Sequence, residues 1–198
     1  MKTILYTCLL LITTISMQAQ DVFNQTAEGN WLANGTARIF STSSKAKLDG
    51  NTNKIGSTFE VQAGPKVGYF IIDDLAIGLE VFVSLTSTNL EGVSDNVNTN
   101  ALFVGPFARY YVYQGFFGEA TVGIGGSKTT TNIIGEQKSN IFGWRLTGGY
   151  NIALGNHISL EPTINYSWEN QKPKDAGDFT PSTVISSFFV GIGFTAFL

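Results

Sequence analysis

The chain has 198 residues, a length that suits a single domain. It combines 22 Gly and 13% aromatic residues with only 14% charged residues, which is unusual for a soluble enzyme and favours a β-sheet with one face in lipid. The formal net charge is −3 and there is no run of Lys or Arg, so the chain offers no basic surface for phosphates and we do not expect nucleic acid as a partner.

The first twenty residues have the features of a secretory signal peptide. Lys2 precedes an apolar run over residues 4–15, which is shorter than the ~20 residues needed to span a bilayer, and polar residues follow up to Gln20. We therefore predict a signal peptide at residues 1–20 and a mature domain at residues 21–198. A membrane-anchoring helix and a lipid anchor at Cys8 are the weaker alternatives. Cleavage would remove Cys8, the only cysteine, and with it any disulfide or Cys-ligated metal.

The mature region predicts β-strands throughout, because its apolar residues recur with a period of two. In residues 75–86 every odd position is apolar, while the even positions include Glu80. Residues 57–71 alternate in the same way. Further strands are predicted at residues 30–41, 99–113, 116–130, 139–153, 158–169 and 182–198. About eight such strands predict an all-β fold, a closed antiparallel up-and-down transmembrane β-barrel.

Connections of two lengths alternate along the chain. Residues 72–74, 114–115 and 154–157 are predicted as tight turns, because they carry the Asp, Gly and Asn that hairpins favour. The polar segments 42–56, 87–98, 131–138 and 170–181 are predicted as long loops. Outer-membrane barrels have short turns on the periplasmic side and long loops outside. We therefore predict a location in the bacterial outer membrane, among its lipids, with both termini periplasmic.

Aromatic residues on the apolar face fall into two groups. Those near the predicted turns are Tyr69, Tyr110, Phe116, Tyr150 and Phe194, and those near the predicted loops are Phe59, Phe142, Trp144, Tyr166, Trp168 and Phe188. Aromatic rings favour both water boundaries of a bilayer, so the two groups predict two girdles. The core of a soluble β-sandwich is the alternative, but it explains neither the two groups nor the alternating connections.

The opposite face of the predicted strands carries charges of both signs. Its bases are Arg38, Lys66, Arg109 and Arg145, and its acids are Glu60, Glu80, Glu119 and Glu161. Unpaired charges are costly in a low-dielectric interior, and opposite charges favour pairing there. We therefore predict a charge network that fills the lumen of a narrow barrel. A proton or ion path is the alternative for charges at membrane depth.

No pattern in the sequence indicates catalysis. Residues 123–129 superficially resemble a phosphate-binding loop, but Ser127 separates the last Gly from Lys128 and no strand-to-helix transition follows. His157, the only histidine, falls in a predicted periplasmic turn, which is the wrong end for a hydrolase that acts on outer-leaflet lipid. We expect no enzyme activity and no cofactor. We also expect no metal, because the chain has no second histidine to bind zinc or copper, and the spacing of Asp95, Asp175 and Asp178 does not match a calcium-binding loop.

Three segments carry a resemblance to a known family: GPKVGYF at 64–70, DDLAIG at 73–78 and FFVGIGFTAFL at 188–198. Over its whole mature length the chain resembles the small OmpA-like outer-membrane barrel domains common in Bacteroidetes. The resemblance implies an architectural role without a catalytic signature, and recognition of the aromatic terminal segment by barrel-assembly machinery. Leu198 departs from the terminal Phe of that pattern. Larger OmpA proteins continue into a peptidoglycan-binding domain where this chain stops, so that activity is not implied.

The function expected from these observations is a non-enzymatic structural or surface-interaction scaffold with a side-chain-filled lumen. A narrow channel or carrier for small hydrophobic molecules, similar to OmpW-type barrels, is the first alternative. A soluble periplasmic lipocalin-like binder is the second, and it would turn its apolar face inward and expose the charges. The loop sequences, rich in Ser, Thr, Asn and Gly, identify no particular surface ligand.

Overall fold

The computed structural model describes residues 25–48, 51–90, 96–113, 115–131, 135–174 and 182–198, and the predicted signal peptide lies outside these ranges. The strands are β1 (Trp31–Leu48), β2 (Asn51–Ile72), β3 (Leu75–Leu90), β4 (Asn96–Tyr111), β5 (Phe116–Thr131), β6 (Gly135–Tyr150), β7 (Ile152–Ala153), β8 (Ile158–Pro173) and β9 (Thr183–Phe197). Within the described ranges, no helix is long and apolar enough to cross a membrane.

The strands form one closed antiparallel sheet. From β1 to β6 each strand pairs with the next, and the pairings of β6 with β8, β8 with β9 and β9 with β1 close the circle. β7 is a two-residue strand that pairs with β8 beyond the end of β6. The result is an eight-stranded barrel with one short extra strand, which confirms the predicted fold class. Along the paired stretches, neighbouring strands satisfy each other's backbone groups, as a bilayer interior requires.

Alternate residues face the inside and the outside of the barrel. On β3 the side chains of Ala76 and Glu80 are 0% and 1% exposed, whereas Leu79 between them is 61% exposed. Outward positions on other strands are also apolar and exposed, among them Ile39, Ile124, Val190 and Phe194. Charges inside and apolar side chains outside are the reverse of what a soluble lipocalin-like binder needs, so the structure excludes that alternative.

The strands at one end are longer than predicted. The prediction of long loops is wrong for most of segments 42–56, 87–98 and 131–138, because strands run into them, and for residues 170–173 of the segment 170–181. Residues 49–50, 91–95, 132–134 and 175–181 of these segments lie outside the described residues. β1 continues to Leu48, for example, and pairs with β2 as far as Leu48–Asn51, with one shift of register between Ser44 and Lys45. The sequences of these polar extensions lack the alternation of apolar and polar residues from which a strand is predicted, although their backbones pair as strands. We call this the hairpin end, and the end with connections at 73–74, 112–115 and 154–157 the turn end.

Aromatic side chains form groups at two levels of the outer wall. The ring pairs nearer the turn end are Trp31–Tyr69 and Phe116–Tyr150, with centroids 5.2 and 4.7 Å apart, and the pair nearer the hairpin end is Trp144–Tyr166 at 5.6 Å. Phe59 and Phe188, predicted for the second level, are 51% and 71% exposed. Two aromatic levels separated by an apolar wall are what a bilayer-spanning barrel needs.

The pairing between β1 and β9 is short. It runs only from Leu32–Phe197 to Thr36–Gly193, although β1 continues to Leu48 and β9 begins as far back as Thr183. All other long neighbouring strands pair with each other over much longer stretches. We call the gap between residues 37–48 of β1 and 183–192 of β9 the β1–β9 seam.

Candidate functional site

All eight lumen residues predicted from the sequence lie on the inner face of the barrel. Lys66, Glu80, Arg109, Glu119 and Glu161 are buried there, and Arg38, Glu60 and Arg145 are partly exposed. The structure joins six of the eight into a charge network near the turn end. It leaves Arg38 and Glu60 apart from that network, nearer the hairpin end.

Arg109 is the centre of the charge network. Its Nη2 lies 2.7 Å from Glu119 Oε2, and its Nη1 donates to Glu161 Oε2 at 2.8 Å. Lys66 Nζ donates to the other oxygen of Glu119 at 2.5 Å, so this carboxylate bridges two bases. Each of these side chains is at most 5% exposed, and charged groups so deeply buried are tolerable only when they are paired in this way.

Glu80 and Arg145 extend the charge network toward the hairpin end. Arg145 Nη2 donates to Glu80 Oε2, and the same oxygen accepts from Thr121 Oγ1 at 3.2 Å. Lys66 Nζ lies 3.8 Å from it and links the two parts of the network. The connected residues are three bases and three acids, so their formal charges cancel: Lys66, Arg109 and Arg145 with Glu80, Glu119 and Glu161.

Arg38 and Glu60 have other partners. The Arg38 guanidinium carbon lies 3.6 Å from the ring centroid of Phe189, a cation–π contact that joins β1 to β9. Glu60 Oε1 accepts hydrogen bonds from Gln62 Nε2 at 2.5 Å and from Ser84 Oγ at 2.9 Å. Within the described residues, no carboxylate lies within ion-pair distance of Arg38.

An apolar floor lies between the charge network and the turn end. Its buried residues are Leu32, Phe70, Ala76, Phe107, Tyr111, Phe117 and Phe197. The rings of Phe70, Tyr111 and Phe197 contact one another, with centroids 6.0 to 6.3 Å apart. A cavity of about 20 Å³, enough for one water molecule, lies among residues of the charge network. The floor and the network together close the lumen in this half of the barrel.

The half of the lumen nearer the hairpin end holds a cavity of about 850 Å³, which we call the vestibule. Five phenylalanines line it, Phe40, Phe82, Phe103, Phe188 and Phe189. Its polar lining comes from Arg38, Glu60, Gln62, Arg145, Ser167, Glu169 and Ser187. Residues from both edges of the β1–β9 seam also line it. The expectation of a side-chain-filled lumen therefore describes only the half near the turn end.

Sequence reasoning missed several polar residues of the lumen, among them Asn34, Tyr111 and Glu169. Asn34 Nδ2 donates to Glu161 Oε2 at 3.0 Å, and the Tyr111 hydroxyl accepts from Arg109 at 3.2 Å and donates to Glu161 at 3.3 Å. Glu169 lines the vestibule. The alternation that placed Arg38 and Glu161 inside also places Asn34 and Glu169 inside, so the signal was present for both.

The other residues considered from the sequence lie away from these groups. Residues 123–129 are part of the extended strand β5, which excludes a phosphate-binding loop. His157 lies at the turn end, where its Nδ1 is 3.1 Å from the carbonyl oxygen of Phe197. No group of three His, Cys, Asp or Glu side chains that could hold a metal ion occurs in the part of the chain that the structure describes.

Comparison with known proteins identifies the family. A family model described as "Outer membrane protein beta-barrel domain" matches residues 7–194. The chain belongs to this family. Solved structures similar to it include OprG from Pseudomonas aeruginosa, with 16% identity, coverage of 88% of this chain and 98% of that chain, and a TM-score of 0.45. Ail from Yersinia pestis has 15% identity, coverage of 86% and 99%, and a TM-score of 0.49. No curated protein matches the chain.

Membership in an outer-membrane barrel family explains the exposed apolar wall. Side chains such as Leu79, Ile124 and Val190, each 61% to 69% exposed, would form an aggregation-prone patch in water. In an outer membrane they face lipid, and the aromatic groups at two levels meet the two water boundaries.

Proposed function

We propose that this outer-membrane barrel is a non-enzymatic scaffold, closed across its lumen, that presents its hairpin end for structural or surface interactions. The observation that carries the proposal is the closed layer formed by the charge network and the apolar floor. An eight-stranded barrel is only wide enough for side chains to fill. The proposal includes an orientation with the hairpin end outside and both termini periplasmic, as in barrels whose short turns face the periplasm.

The arrangement of charges favours a structural role over an ion path. Arg109 and Glu119 each contact two oppositely charged partners, and the connected charges cancel. Such groups are fixed by their partners, so they offer a passing ion neither a free site nor a net attraction. The charge network therefore supports a sealed lumen.

The position of the only histidine supports a non-enzymatic role. An enzyme that hydrolyses an outer-leaflet lipid needs a general base beside its nucleophile, where the lipid binds. His157 is exposed at the turn end, on the far side of the apolar floor from the vestibule.

Swelling of proteoliposomes tests the closed lumen. The wild-type barrel is expected to leave the permeability to a small neutral solute such as arabinose at the level of empty vesicles. A large-pore porin reconstituted at the same protein density provides the positive control. Swelling rates for the wild-type barrel that approach those of the porin would refute the closed scaffold.

Binding of small hydrophobic molecules is a second candidate function, and the vestibule is the observation that favours it. Ligand cavities of 300 to 1,000 Å³ are typical for small molecules, and this one has about 850 Å³ and five phenylalanines in its wall. The β1–β9 seam would give such a molecule a lateral route from the lipid, because both of its edges line the cavity.

A disulfide across the seam tests this second candidate. Continuing the register beyond Thr36–Gly193 puts Ala37 opposite Ile192, so an A37C/I192C pair would draw the seam together when oxidised. Ala33 and Ala196 are already paired in the closed part of the same interface, and A33C/A196C is the matched control. Oxidation should slow the uptake of a fluorescent hydrophobic probe, N-phenyl-1-naphthylamine, only in the first variant. Equal uptake in both variants, before and after oxidation, would remove the lateral route.

A further inference from the structure

A cation–π contact crosses the β1–β9 seam. Arg38 on β1 reaches to Phe189 on β9, and its guanidinium carbon lies 3.6 Å from the ring centroid. Continuing the register beyond Thr36–Gly193 puts Arg38 opposite Gly191, so the contact stands in the unpaired part of this interface. Both residues also line the vestibule. The contact therefore lies where the seam meets the cavity.

Arg38 is a base without an acidic partner in the described part of the chain. Its guanidinium contacts the Phe189 ring, but among those residues it pairs with no carboxylate and donates no hydrogen bond. Arg145, the other base of the vestibule, donates to Glu80. A guanidinium has five N–H donors, and leaving its charge unpaired in a partly enclosed site is costly. Arg38 can therefore accommodate an anionic group from outside the chain.

The two acids that line the vestibule lie away from this contact. Glu60 accepts from Ser84 of β3, on the far side of β2 from β1, whereas Arg38 reaches the opposite way, to β9. Glu169 on β8 is four residues beyond the partner of Phe189, about 13 Å along the strand toward the hairpin end. A group with one negative charge can approach Arg38 between β1 and β9, whereas a group with several is repelled more strongly by both acids.

The cavity beside Arg38 has an aromatic wall. Phe82 on β3 and Phe103 on β4 lie opposite each other, and Phe40 on β1 also lines the cavity. The volume of about 850 Å³ is within the range of small-molecule sites. An unpaired cation beside such a wall is complementary to a molecule with one acidic head group and a hydrocarbon chain.

The contact lies at the height of the aromatic group nearer the hairpin end. Phe188, next to Phe189 in the chain, is exposed on the outer wall and lies opposite Tyr166 of that group. Aromatic girdles mark the boundary between hydrocarbon and water, where the polar heads of amphiphiles lie. An amphiphile in the adjoining leaflet therefore holds its head group near the height of Arg38, and it reaches the vestibule by moving sideways through the seam.

We propose that Arg38 and the vestibule bind a single-chain amphiphile with one carboxylate, of the fatty-acid type. The carboxylate lies on the Arg38 guanidinium, and the hydrocarbon chain lies along the phenylalanines. The planar guanidinium matches a carboxylate with two parallel hydrogen bonds. The inference rests on the second candidate function above, because it names the class of molecule that the vestibule would take.

Ligand binding in nanodiscs tests the proposal. The barrel is reconstituted in phosphatidylcholine nanodiscs at mildly alkaline pH, and the binding of tritiated dodecanoate, dodecanol and dodecylamine is measured in excess of empty nanodiscs. The three probes share one chain and differ in the head group. Wild type is expected to bind dodecanoate about tenfold more tightly than dodecanol, because charge-assisted hydrogen bonds exceed neutral ones by about that factor. Dodecylamine should bind least tightly, since its charge has the same sign as that of Arg38.

Substitutions isolate the role of Arg38. R38Q should bind dodecanoate no more tightly than dodecanol, while its affinity for dodecanol stays at the wild-type level, because the contacts of the chain are unchanged. R38K keeps the charge without the planar fork and should retain part of the preference. The matched control K172Q removes a positive charge from an exposed position of β8 outside the vestibule and should retain the full preference.

Three results would overturn the proposal and leave the vestibule as a site for hydrophobic molecules: equal affinity of wild type for dodecanoate and dodecanol, tighter binding of dodecylamine, or an undiminished preference in R38Q. Binding of none of the probes above the level of empty nanodiscs would remove the second candidate function itself, and the proposal with it. The comparison of probes on wild type needs no variant, so the test does not depend on the folding of R38Q.

Discussion

At the scale of single residues, the buried charges are the side chains that depend most on their partners. Glu80 is 1% exposed, and its carboxylate accepts from Arg145 and Thr121 while Lys66 lies 3.8 Å away. Losing one member of such a group leaves the others buried without a partner, a situation more costly than the loss of the interaction itself. The next residue, Val81, is 38% exposed on the outer wall and has no such constraint.

Replacing each of these two neighbours by Leu measures the difference. Glu80→Leu is expected to lower the free energy of unfolding by about 3 to 5 kcal/mol, because Arg145 and Lys66 lose a shared carboxylate. Val81→Leu should change it by less than about 0.5 kcal/mol, since it adds an apolar group to a lipid-facing wall. Urea unfolding in vesicles, followed by tryptophan fluorescence, gives both values. A larger loss at Val81 than at Glu80 would mean that the strand faces the opposite way.

The sequence locates the charged residues of the lumen but not their partners. Strand alternation alone puts Arg109 and Glu161 on the inner face. Their contact joins β4 to β8, which are not neighbours in the sheet, so it depends on the tilt and stagger of the closed barrel. The stacking of Arg38 on Phe189, in place of an ion pair, depends on the same geometry.

At the scale of strands, glycines allow β4 and β5 to approach closely. A Cβ atom added to Gly105 would lie 2.1 Å from the carbonyl oxygen of Val122 and 2.8 Å from the Cα atom of Gly123. Both obstacles are backbone atoms, which cannot rotate away. Gly118 on the same strand pair has nothing within 4 Å of such an atom.

Alanine at these two glycines should therefore have opposite consequences. Gly105→Ala is expected to destabilise the barrel by about 1 to 3 kcal/mol, because the strands must separate locally. Gly118→Ala should be neutral or slightly stabilising, since it restricts the unfolded chain without a clash. The temperature of the gel-mobility shift compares the two variants. Equal shifts would show that close strand approach is not what requires glycine at 105.

Strand boundaries could be predicted where one face of a strand is apolar and faces lipid. The start of β3 at Leu75 and of β5 at Phe116 match the sequence prediction, because apolar alternation begins there beside a tight turn. The extensions of β1 and β2 toward the hairpin end could not be predicted, since their sequences are mostly polar and nothing alternates. The β1–β9 seam also has no local signal, because it reflects missing pairing between the two ends of the sheet.

At the scale of the whole molecule, the proposed roles of the two ends depend on which end of the barrel faces the outside of the cell. Thr130 lies near the hairpin end of β5 and Asn156 lies in a connection at the turn end, and both are exposed. If residues 1–20 are removed, the mature chain has no cysteine, so a single introduced cysteine reports on one site.

Labelling of intact cells with a membrane-impermeant maleimide tests this orientation. Thr130→Cys should be labelled without treatment, because the hairpin end is proposed to face outward. Asn156→Cys should be labelled only after the outer membrane is permeabilised. The reverse pattern would place the hairpin end in the periplasm and invert the proposed arrangement.

Ion conductance in a planar bilayer tests the central claim, a barrel sealed by paired charges and an apolar floor, most directly. Wild type is expected to be silent, because the cavity at the charge network measures only about 20 Å³ and the apolar floor lies below it. Arg109→Ala, which removes the central base and much of its volume, should produce openings wherever the variant still folds. Steady, reproducible conductance by the unmodified protein would contradict the account.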